Sequence, residues 1–483
     1  MRTFYDILNK KSTPYWLLAI VAFVLMIPHS MAPWGNGNYP TDLCVYIRCA
    51  EWIKQGLVMY RDMFDHKGPL VYFIYLCASH FGLWGVWLLD MAILYVSMLL
   101  FYRMARLFTE AKWSMLIAVF LAFYIQLIFN DEGAPEWLAM PWCIYTCYLI
   151  AKRLKDNGYC SFGEIAILSA AVGICAFTKP NTAACIVPIA IYIAVHLFKH
   201  FDGRVLLRYI GGVVLGLGVI VAPIVAWLIS QGNTEDFMNA YLRFNTFQYG
   251  PYSWYHYWLG FLEMSAICLI GYLLYIVYAV FAEKRTWQFW FITILFFFTV
   301  IMNAYLKNGY PHYICPCVGV FALLLCLSWE HILSHKSLRK WTFVIFLLFG
   351  IVCYGVRINL RLAPFDKHED TEVAEYINSQ PHGEYVMVYG HETRLIWKWT
   401  IPRFCFSYRL WMLLDGKPAS PYFYMPPQLS EEMHATMLRL IKERAPYWIV
   451  CYEGYENRFT DMGYVRDKDI GNEFLILRLN QQE

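Results

Sequence analysis

The chain has 483 residues, of which 59% are hydrophobic and 16% charged; its mean hydropathy is +0.41 and its formal net charge +3. A soluble domain carries about 25% charged residues, so most of this chain belongs in a bilayer, and its net charge is too small to argue for a nucleic-acid partner. The fifteen cysteines are scattered, many inside apolar runs (Cys175, Cys268, Cys326, Cys353). They read as small core residues, not as the disulfide framework of a small secreted domain. Cys315-Pro-Cys317 lacks the spacing of a zinc knuckle, so no structural metal is expected.

In chain order, Arg2, Lys10 and Lys11 precede the first apolar run with no small-residue cleavage site after it, which reads as an uncleaved first helix. Apolar runs follow near 16–33, 86–102, 113–129, 137–151, 162–178, 183–198, 206–229, 259–281, 287–305, 312–330 and 341–358. Each approaches the ~20 residues that cross a bilayer. The stretch 69–85 is ambiguous, and the positive-inside rule decides it. The cationic loops are Arg103/Arg106/Lys112, Lys152/Arg153/Lys155, Lys199/Arg204/Arg208, Lys284/Arg285 and Lys336/Arg339/Lys340. All share the N-terminal, cytoplasmic side only if 69–85 does not cross alone. That stretch is therefore expected to be a juxtamembrane or re-entrant helix, giving about eleven crossings with the C-terminus outside.

The expected fold is an all-α polytopic membrane protein of about 11–13 transmembrane helices with a small C-terminal α/β extracytoplasmic domain. The expected membrane module is 1–358, with a first outer loop at 34–85 and the outer domain at 359–483. In that tail, "TEVAEYIN" and "SEEMHATMLRLIKERA" read as helices, and "EYVMVYG", "PYWIVCYE" and "EFLILRLN" as strands. A second outer segment, 231–258, is rich in aromatics, and Arg243 and Asn245 within it are candidates for an acceptor entrance.

The first outer loop carries the densest chemistry. From Asp42, the residues Leu43, Tyr46, Ile47, Ala50, Ile53 and Leu57 recur at helical spacing while Arg48, Glu51 and Gln55 take the other face. This predicts an amphipathic helix on the outer membrane surface, with Asp42 at its start, where an N-cap role competes with a functional one. Then comes "YRDMFDHKGPLVYFIY", with Tyr60, Arg61, Asp62, Asp65, His66 and Lys67 crowded ahead of Gly68-Pro69 and an apolar segment. A lysine at a helix start opposes the helix dipole, so Lys67 is not placed for helix stability. With backbone N–H groups nearby it suits an anion at headgroup depth, against the plainer reading of a snorkelling interfacial lysine. A substrate charged at one end and greasy at the other accounts for charge set against an apolar helix.

An Asp at the head of the first outer loop followed by Tyr-x-Asp-x-Phe-Asp-His-Lys-Gly-Pro-Leu-x-Tyr resembles the GT-C membrane glycosyltransferases. More narrowly, it resembles the branch of the lipid A aminoarabinose transferases and protein O-mannosyltransferases. "FTKPNTAACIVPIAIY", carrying Lys179, and "NGYPHYICPCVGVFALLL", carrying Tyr310, His312 and Tyr313, resemble two further segments of that family. The resemblance implies an inverting transferase of the plasma (inner) membrane and cell envelope. It would move a sugar from a polyprenyl-phosphate donor to a glycan, lipid or protein acceptor on the extracytoplasmic side. It assigns Asp42 as general base and Lys67, with His66, as the grip on the donor phosphate. Asp65, Lys179, Tyr310, His312 and Tyr313 are further substrate-site candidates. The chemistry stands on its own terms: the leaving lipid phosphate needs a fixed cation, and the acceptor hydroxyl needs a carboxylate.

The second acidic patch, "FNDEGAPEW", places Asp131, Glu132 and Glu136 beside lipid, where unused carboxylates are costly; the rival reading is a polar turn facing water. The family has an acidic residue in this loop that sometimes helps to bind a metal, so a divalent cation is a candidate cofactor; no other cofactor is expected. Three rivals remain: a transporter or flippase of lipid-linked sugars, an O-antigen-type polymerase or ligase, and a non-catalytic lipid-binding relative. Against transport, no inverted repeat is visible and the ionisable groups gather at the outer boundary rather than the midplane.

Overall fold

The computed structural model describes residues 12–35, 41–128, 133–248, 272–280, 287–305, 315–334, 336–362, 369–381, 383–389, 392–393, 404–405, 408–423, 430–452, 454–471 and 474–480. The chain forms two compact units, each assembled from three separate stretches. One comprises Met1–Asn36, Phe81–Val225 and Tyr252–Ala363; the other comprises Gly37–His80, Ala226–Pro251 and Pro364–Glu483.

The first unit is helical. Its helices include Thr13–Leu25, Gly82–Ala105, Ala111–Ile128, Pro135–Asp156, Phe162–Thr178, Val187–Lys199, Trp287–Tyr305, Cys315–Ser334 and Lys336–Leu362, and Gly203–Gln231 begins in it. Each apolar run of the sequence coincides with a helix, except that 16–33 is helical only as far as Leu25 and that 259–281 lies outside the described residues up to 271. Among the described residues, Pro69–Ala105, Pro180–Lys199 and Gly203–Gln231 are long and apolar enough to cross a membrane by length and composition; six shorter helices are also apolar. Large apolar side chains stand exposed along these helices, among them Leu207, Val214, Val219, Ile229, Ile345 and Ile351. In water such faces would be association surfaces; in lipid they are at their ordinary solvent.

Pro135–Asp156 packs against Gly82–Ala105, Phe162–Thr178 and Cys315–Ser334. Small residues set these distances, as expected where close packing rather than the hydrophobic effect joins helices. A Cβ on Gly319 would lie 3.0 Å from both the Cys143 carbonyl oxygen and the Cys147 Sγ. A Cβ on Gly216 would collide with the Ala166 carbonyl, while one on Gly218 would meet nothing within 4 Å. Glycine is therefore required at Gly216, fits a tight contact at Gly319 and is optional at Gly218.

The ambiguous stretch 69–85 is not one helix. Pro69–Ala78 is followed by a 3-10 turn, Ser79–Phe81, and Gly82 takes a left-handed φ of 63° before the next helix. Ten residues rise about 15 Å, half of a ~30 Å hydrocarbon core. Pro69–Ala78 is too short to cross by itself, and the run expected from 86 begins at Gly82.

The second unit contains the sheet. Its strands are β1 (Tyr385–Tyr389), β2 (Glu392–Thr393), β3 (Phe404–Cys405), β4 (Lys417–Pro418), β5 (Trp448–Tyr452), β6 (Tyr464–Ile470) and β7 (Phe474–Leu479). The five-stranded order is β4-β1-β5-β7-β6, with β4, β1 and β5 parallel and β7 and β6 antiparallel; β2 and β3 form a separate antiparallel ladder. The helices Glu369–Ser379 and Glu431–Arg444 are where the sequence places them. Met387, Tyr389, Ile449, Cys451 and Leu475 from the strands bury against Met437 and Ile441. β6 is not legible in the sequence: "YVRDKDI" is exposed along its middle, and charge is how an edge strand avoids pairing with a neighbour.

The first-loop helix, Thr41–Lys54, belongs to this unit and ends before Gly56, at φ 90°. The sequence puts Arg48 on its polar face, yet Arg48 is 7% exposed. Its guanidinium donates to the carbonyls of Leu414 and Gly416 and pairs with Glu51 at 2.8 Å. Trp52 donates to the Gly416 carbonyl at 3.0 Å and packs edge-on against Trp411 and Phe423. Both faces of the helix are thus covered, one of them by the tail, which an amphipathic pattern alone does not reveal.

Candidate active site in the first loop

Residues 58–67 form a closed loop. Asp62 N donates to the Val58 carbonyl at 2.8 Å, Val58 N donates back to Asp62 Oδ2 at 2.8 Å, and Tyr60 N reaches the Met63 carbonyl at 2.8 Å. Tyr60 takes a left-handed φ of 70°, a conformation that costs a non-glycine residue about 1–2 kcal/mol. The surroundings hold it there: its ring packs edge-on against Tyr72 and Phe237, and its hydroxyl donates to the Lys67 carbonyl at 2.9 Å. Burial, with smaller contributions from Tyr241 and Asp65, pushes the Tyr60 phenol well up, so it stays a protonated donor. Asn245, from the π-helical Met238–Gln248, donates to the His66 carbonyl at 2.7 Å, and Asn233 donates to the Met59 carbonyl at 2.9 Å. Asn233 and the Met238–Gln248 helix thus brace the first loop, and Asn245 acts through the backbone of His66.

The charged side chains form a line on this frame. Asp65, 2% exposed, accepts from the Tyr72 hydroxyl and from its neighbour His66 N, both at 2.6 Å. The His66 Nδ1 faces Asp65 Oδ1 at 3.4 Å, and His66 Nε2 lies 2.7 Å from the Lys67 Nζ. An ammonium only donates, so His66 accepts at Nε2 and carries its hydrogen on Nδ1, toward Asp65. Asp65, His66 and Lys67 therefore run as carboxylate, imidazole and ammonium, ending at the start of the Pro69–Ala78 helix. Gly68 at the N-cap has no side-chain oxygen to offer the first-turn N–H groups.

Asp42 sits within the first turn of its helix, half-buried, and accepts from the Tyr46 hydroxyl at 3.4 Å. It is not ahead of the helix, as an N-cap would be. Tyr46 stacks on Tyr75 (6.0 Å between centroids) and meets Tyr72 edge-on at 6.1 Å. Asp42 and the Asp65–His66–Lys67 line thus share one aromatic frame, Tyr46–Tyr72–Tyr75. A search for charged groups passes over these tyrosines. Their signal in the sequence is spacing: Tyr46 lies one turn after Asp42, and Tyr72 and Tyr75 lie one turn apart.

Two other candidates meet in the first unit. Lys179, at the head of the 3-10 turn Pro180–Ile186, is ion-paired with Glu136, which is 1% exposed in the first turn of Pro135–Asp156. Glu136 is therefore a buried, paired carboxylate rather than part of a polar turn facing water. Asp131, Glu132, Tyr310, His312 and Tyr313 lie outside the described residues. Among the described residues no group of three or more His, Cys, Asp or Glu is placed to hold a metal ion.

No protein-family model matches the chain, and no curated protein matches it in sequence. Solved structures do match. ArnT from Cupriavidus metallidurans in the apo state aligns with a TM-score of 0.60 at 13% identity, over 96% of this chain and 97% of that one. The same protein bound to undecaprenyl phosphate aligns with a TM-score of 0.59 at 13% identity, over 98% and 99%. The oligosaccharyltransferase AglB from Archaeoglobus fulgidus, in a complex with zinc and sulfate, aligns with a TM-score of 0.53 at 12% identity, over 93% and 69%. Arabinofuranosyltransferase AftD from Mycobacteria aligns with a TM-score of 0.53 at 11% identity, over 97% of this chain and 42% of that one. Over nearly the whole of this chain the likeness to ArnT, AglB and AftD is one of fold.

Proposed function

We propose that the protein is an integral-membrane inverting glycosyltransferase that takes its sugar from a polyprenyl-phosphate donor. The observation that carries this reading is the Lys67 ammonium held 2.7 Å from His66, on the same aromatic frame as Asp42. The full-length likeness to ArnT, solved with undecaprenyl phosphate, supports it. In the proposed reaction Asp42 takes the proton of the acceptor hydroxyl. The freed oxygen attacks the anomeric carbon on the face opposite the phosphate. The bond from that carbon to the phosphate oxygen breaks, and its electron pair leaves with the lipid phosphate. Lys67, at the start of Pro69–Ala78, meets the charge that develops there. His66 acts on Lys67, holding its side chain by a hydrogen bond rather than touching substrate, and Asp65 steadies His66 by accepting from its backbone N–H. No step runs through a metal.

A transfer assay tests the reading: purified protein with extracted polyprenyl-phosphate sugars should release free polyprenyl phosphate only when an acceptor is present. Vectorial movement of intact donor across a proteoliposome, without cleavage, would instead make the protein a transporter.

The reaction is proposed to lie outside the cytoplasm, with eleven crossings, the N-terminus inside and the tail outside. In a variant stripped of native cysteines, Ser337→Cys should react with an impermeant maleimide only after the membrane is opened, and Gln481→Cys from outside. The reverse labelling would put the first loop on the cytoplasmic side.

A further inference from the structure

The basic residues Arg106, Lys112 and Lys155, at or just beyond helix ends, have no part in the proposed transfer, yet in the first unit they line a pair of adjoining cavities. The polar one, about 570 Å³, is lined by Arg106, Lys112 and Lys155 together with Glu110, Thr109 and Trp113. The other, about 350 Å³, is lined by apolar and aromatic groups, including Phe108, Leu154, Phe289 and Ile292, with polar atoms of Tyr275, Tyr278, Gln288 and Lys155 also reaching its wall. Leu107, Phe108 and Lys155 line both. These volumes are those of ligand pockets rather than packing defects.

The local hydrogen bonds hold the cations at the mouth without neutralising them as a group. Lys155 donates to the Leu107 carbonyl, and Arg106 donates to the Thr109 carbonyl at 2.7 Å. A carbonyl fixes a cation's position but cancels none of its charge. Among the described residues, Glu110 is the single carboxylate of the lining, and it pairs with Lys112 at 3.0 Å. Arg106 and Lys155 are left over, on the exposed side of an apolar chamber formed between helices. A soluble anion would use the cations and leave the chamber idle. A zwitterionic lipid would use the chamber and bring its own positive charge to the cations. An anionic phospholipid satisfies both, and basic pockets at the cytoplasmic ends of transmembrane helices are where such headgroups collect.

We propose that this pair of cavities is a binding site for an anionic phospholipid. The headgroup phosphate sits among Arg106, Lys112 and Lys155, and part of an acyl chain enters the chamber lined by Phe108, Leu154 and Phe289. The site is independent of the proposed transfer chemistry and stands or falls separately from it.

The test is native mass spectrometry of the purified full chain with equimolar phosphatidylglycerol and phosphatidylcholine, repeated with inorganic phosphate. Wild-type protein should retain phosphatidylglycerol about tenfold over phosphatidylcholine, since charge-assisted hydrogen bonds of this kind change occupancy by at least that factor. The double variant Arg106→Gln/Lys155→Gln should lose the preference. Ala279→Phe, which narrows the apolar chamber while keeping every cation, should lower retention of both lipids. Equal retention of the two lipids by wild-type protein overturns the proposal, as does competition by millimolar phosphate, which would make the site one for a soluble anion. Should the double variant fail to fold, the wild-type competition and Ala279→Phe still decide.

Discussion

Asp42→Asn should lower sugar transfer by about 10²–10⁴-fold, the range expected for loss of a positioned general base, while donor binding and folding stay near wild type. The geometry separates these effects. Asp42 accepts from the Tyr46 hydroxyl at 3.4 Å, and an asparagine carbonyl accepts the same bond in nearly the same place. The neighbouring stack of Tyr46 on Tyr75 does not depend on the charge. What asparagine lacks is a lone pair basic enough to take the acceptor's proton. The competing account is that Asp42 merely complements the dipole of its own helix, where an acid in the first turn is worth about 0.3–1 kcal/mol. On that account the Asp42→Asn change would cost a little stability and no rate. Steady-state transfer at saturating donor, with a thermal melt in parallel, tells the two apart: near wild-type turnover with a lowered melting temperature would remove Asp42 from the reaction. Asp42→Glu makes a useful companion. It keeps the base but displaces it by one methylene, and proton transfer depends on geometry before it depends on basicity, so partial activity is expected.

Much of the fold is written in local patterns. The helices of the first unit follow continuous apolar runs, which announce themselves in any window of about twenty residues. Strands β1, β5 and β7 are apolar enough to read. β6 is not, since an edge strand protected by charge looks like a loop. Arg48 shows the other limit. Its periodicity places it opposite Leu43 and Tyr46, and the natural inference is water. The residues that cover it, Leu414 and Gly416, lie 366 and 368 positions away, beyond any pattern in the helix itself. The candidate site divides in the same manner. Asp42 and Lys67 stand out by motif and by their positions at helix starts. The bond from Tyr72 to Asp65 and the support of the His66 carbonyl by Asn245 depend on three segments meeting, which local patterns along one sequence do not disclose. The pairing of Glu136 with Lys179 across 43 positions is a third case. Along the chain Glu136 reads as one of three carboxylates in an acidic patch and Lys179 as a residue of a separate segment, and nothing local joins them; burial explains the pairing, since an unpaired carboxylate at 1% exposure would be costly.

Lys67→Ala should weaken donor binding and also lower kcat, each by about ten- to hundredfold, because a single charge-assisted hydrogen bond is worth about 1.5–3 kcal/mol. The expectation of an effect on kcat rests on where the charge goes. In the bound donor the phosphate diester carries one negative charge; as the sugar departs, the leaving phosphate gains a second. A cation beside it is therefore held more tightly in the transition state than in the ground state, and only such a difference accelerates the chemical step. The ammonium is aimed by its 2.7 Å bond to His66, which Asp65 flanks in turn. His66→Gln should accordingly produce a smaller loss in the same two parameters, with the cation present but less well held. Lys67→Arg should retain part of both, since a guanidinium binds phosphate through a planar fork rather than a point charge; its larger head also displaces the contact with His66. Donor titration against transfer rate for the three variants resolves the roles. A Lys67→Ala protein that binds donor and turns over as wild type does would leave Lys67 as a lysine whose stem covers apolar surface while its head reaches water, and the lipid phosphate would then need another partner.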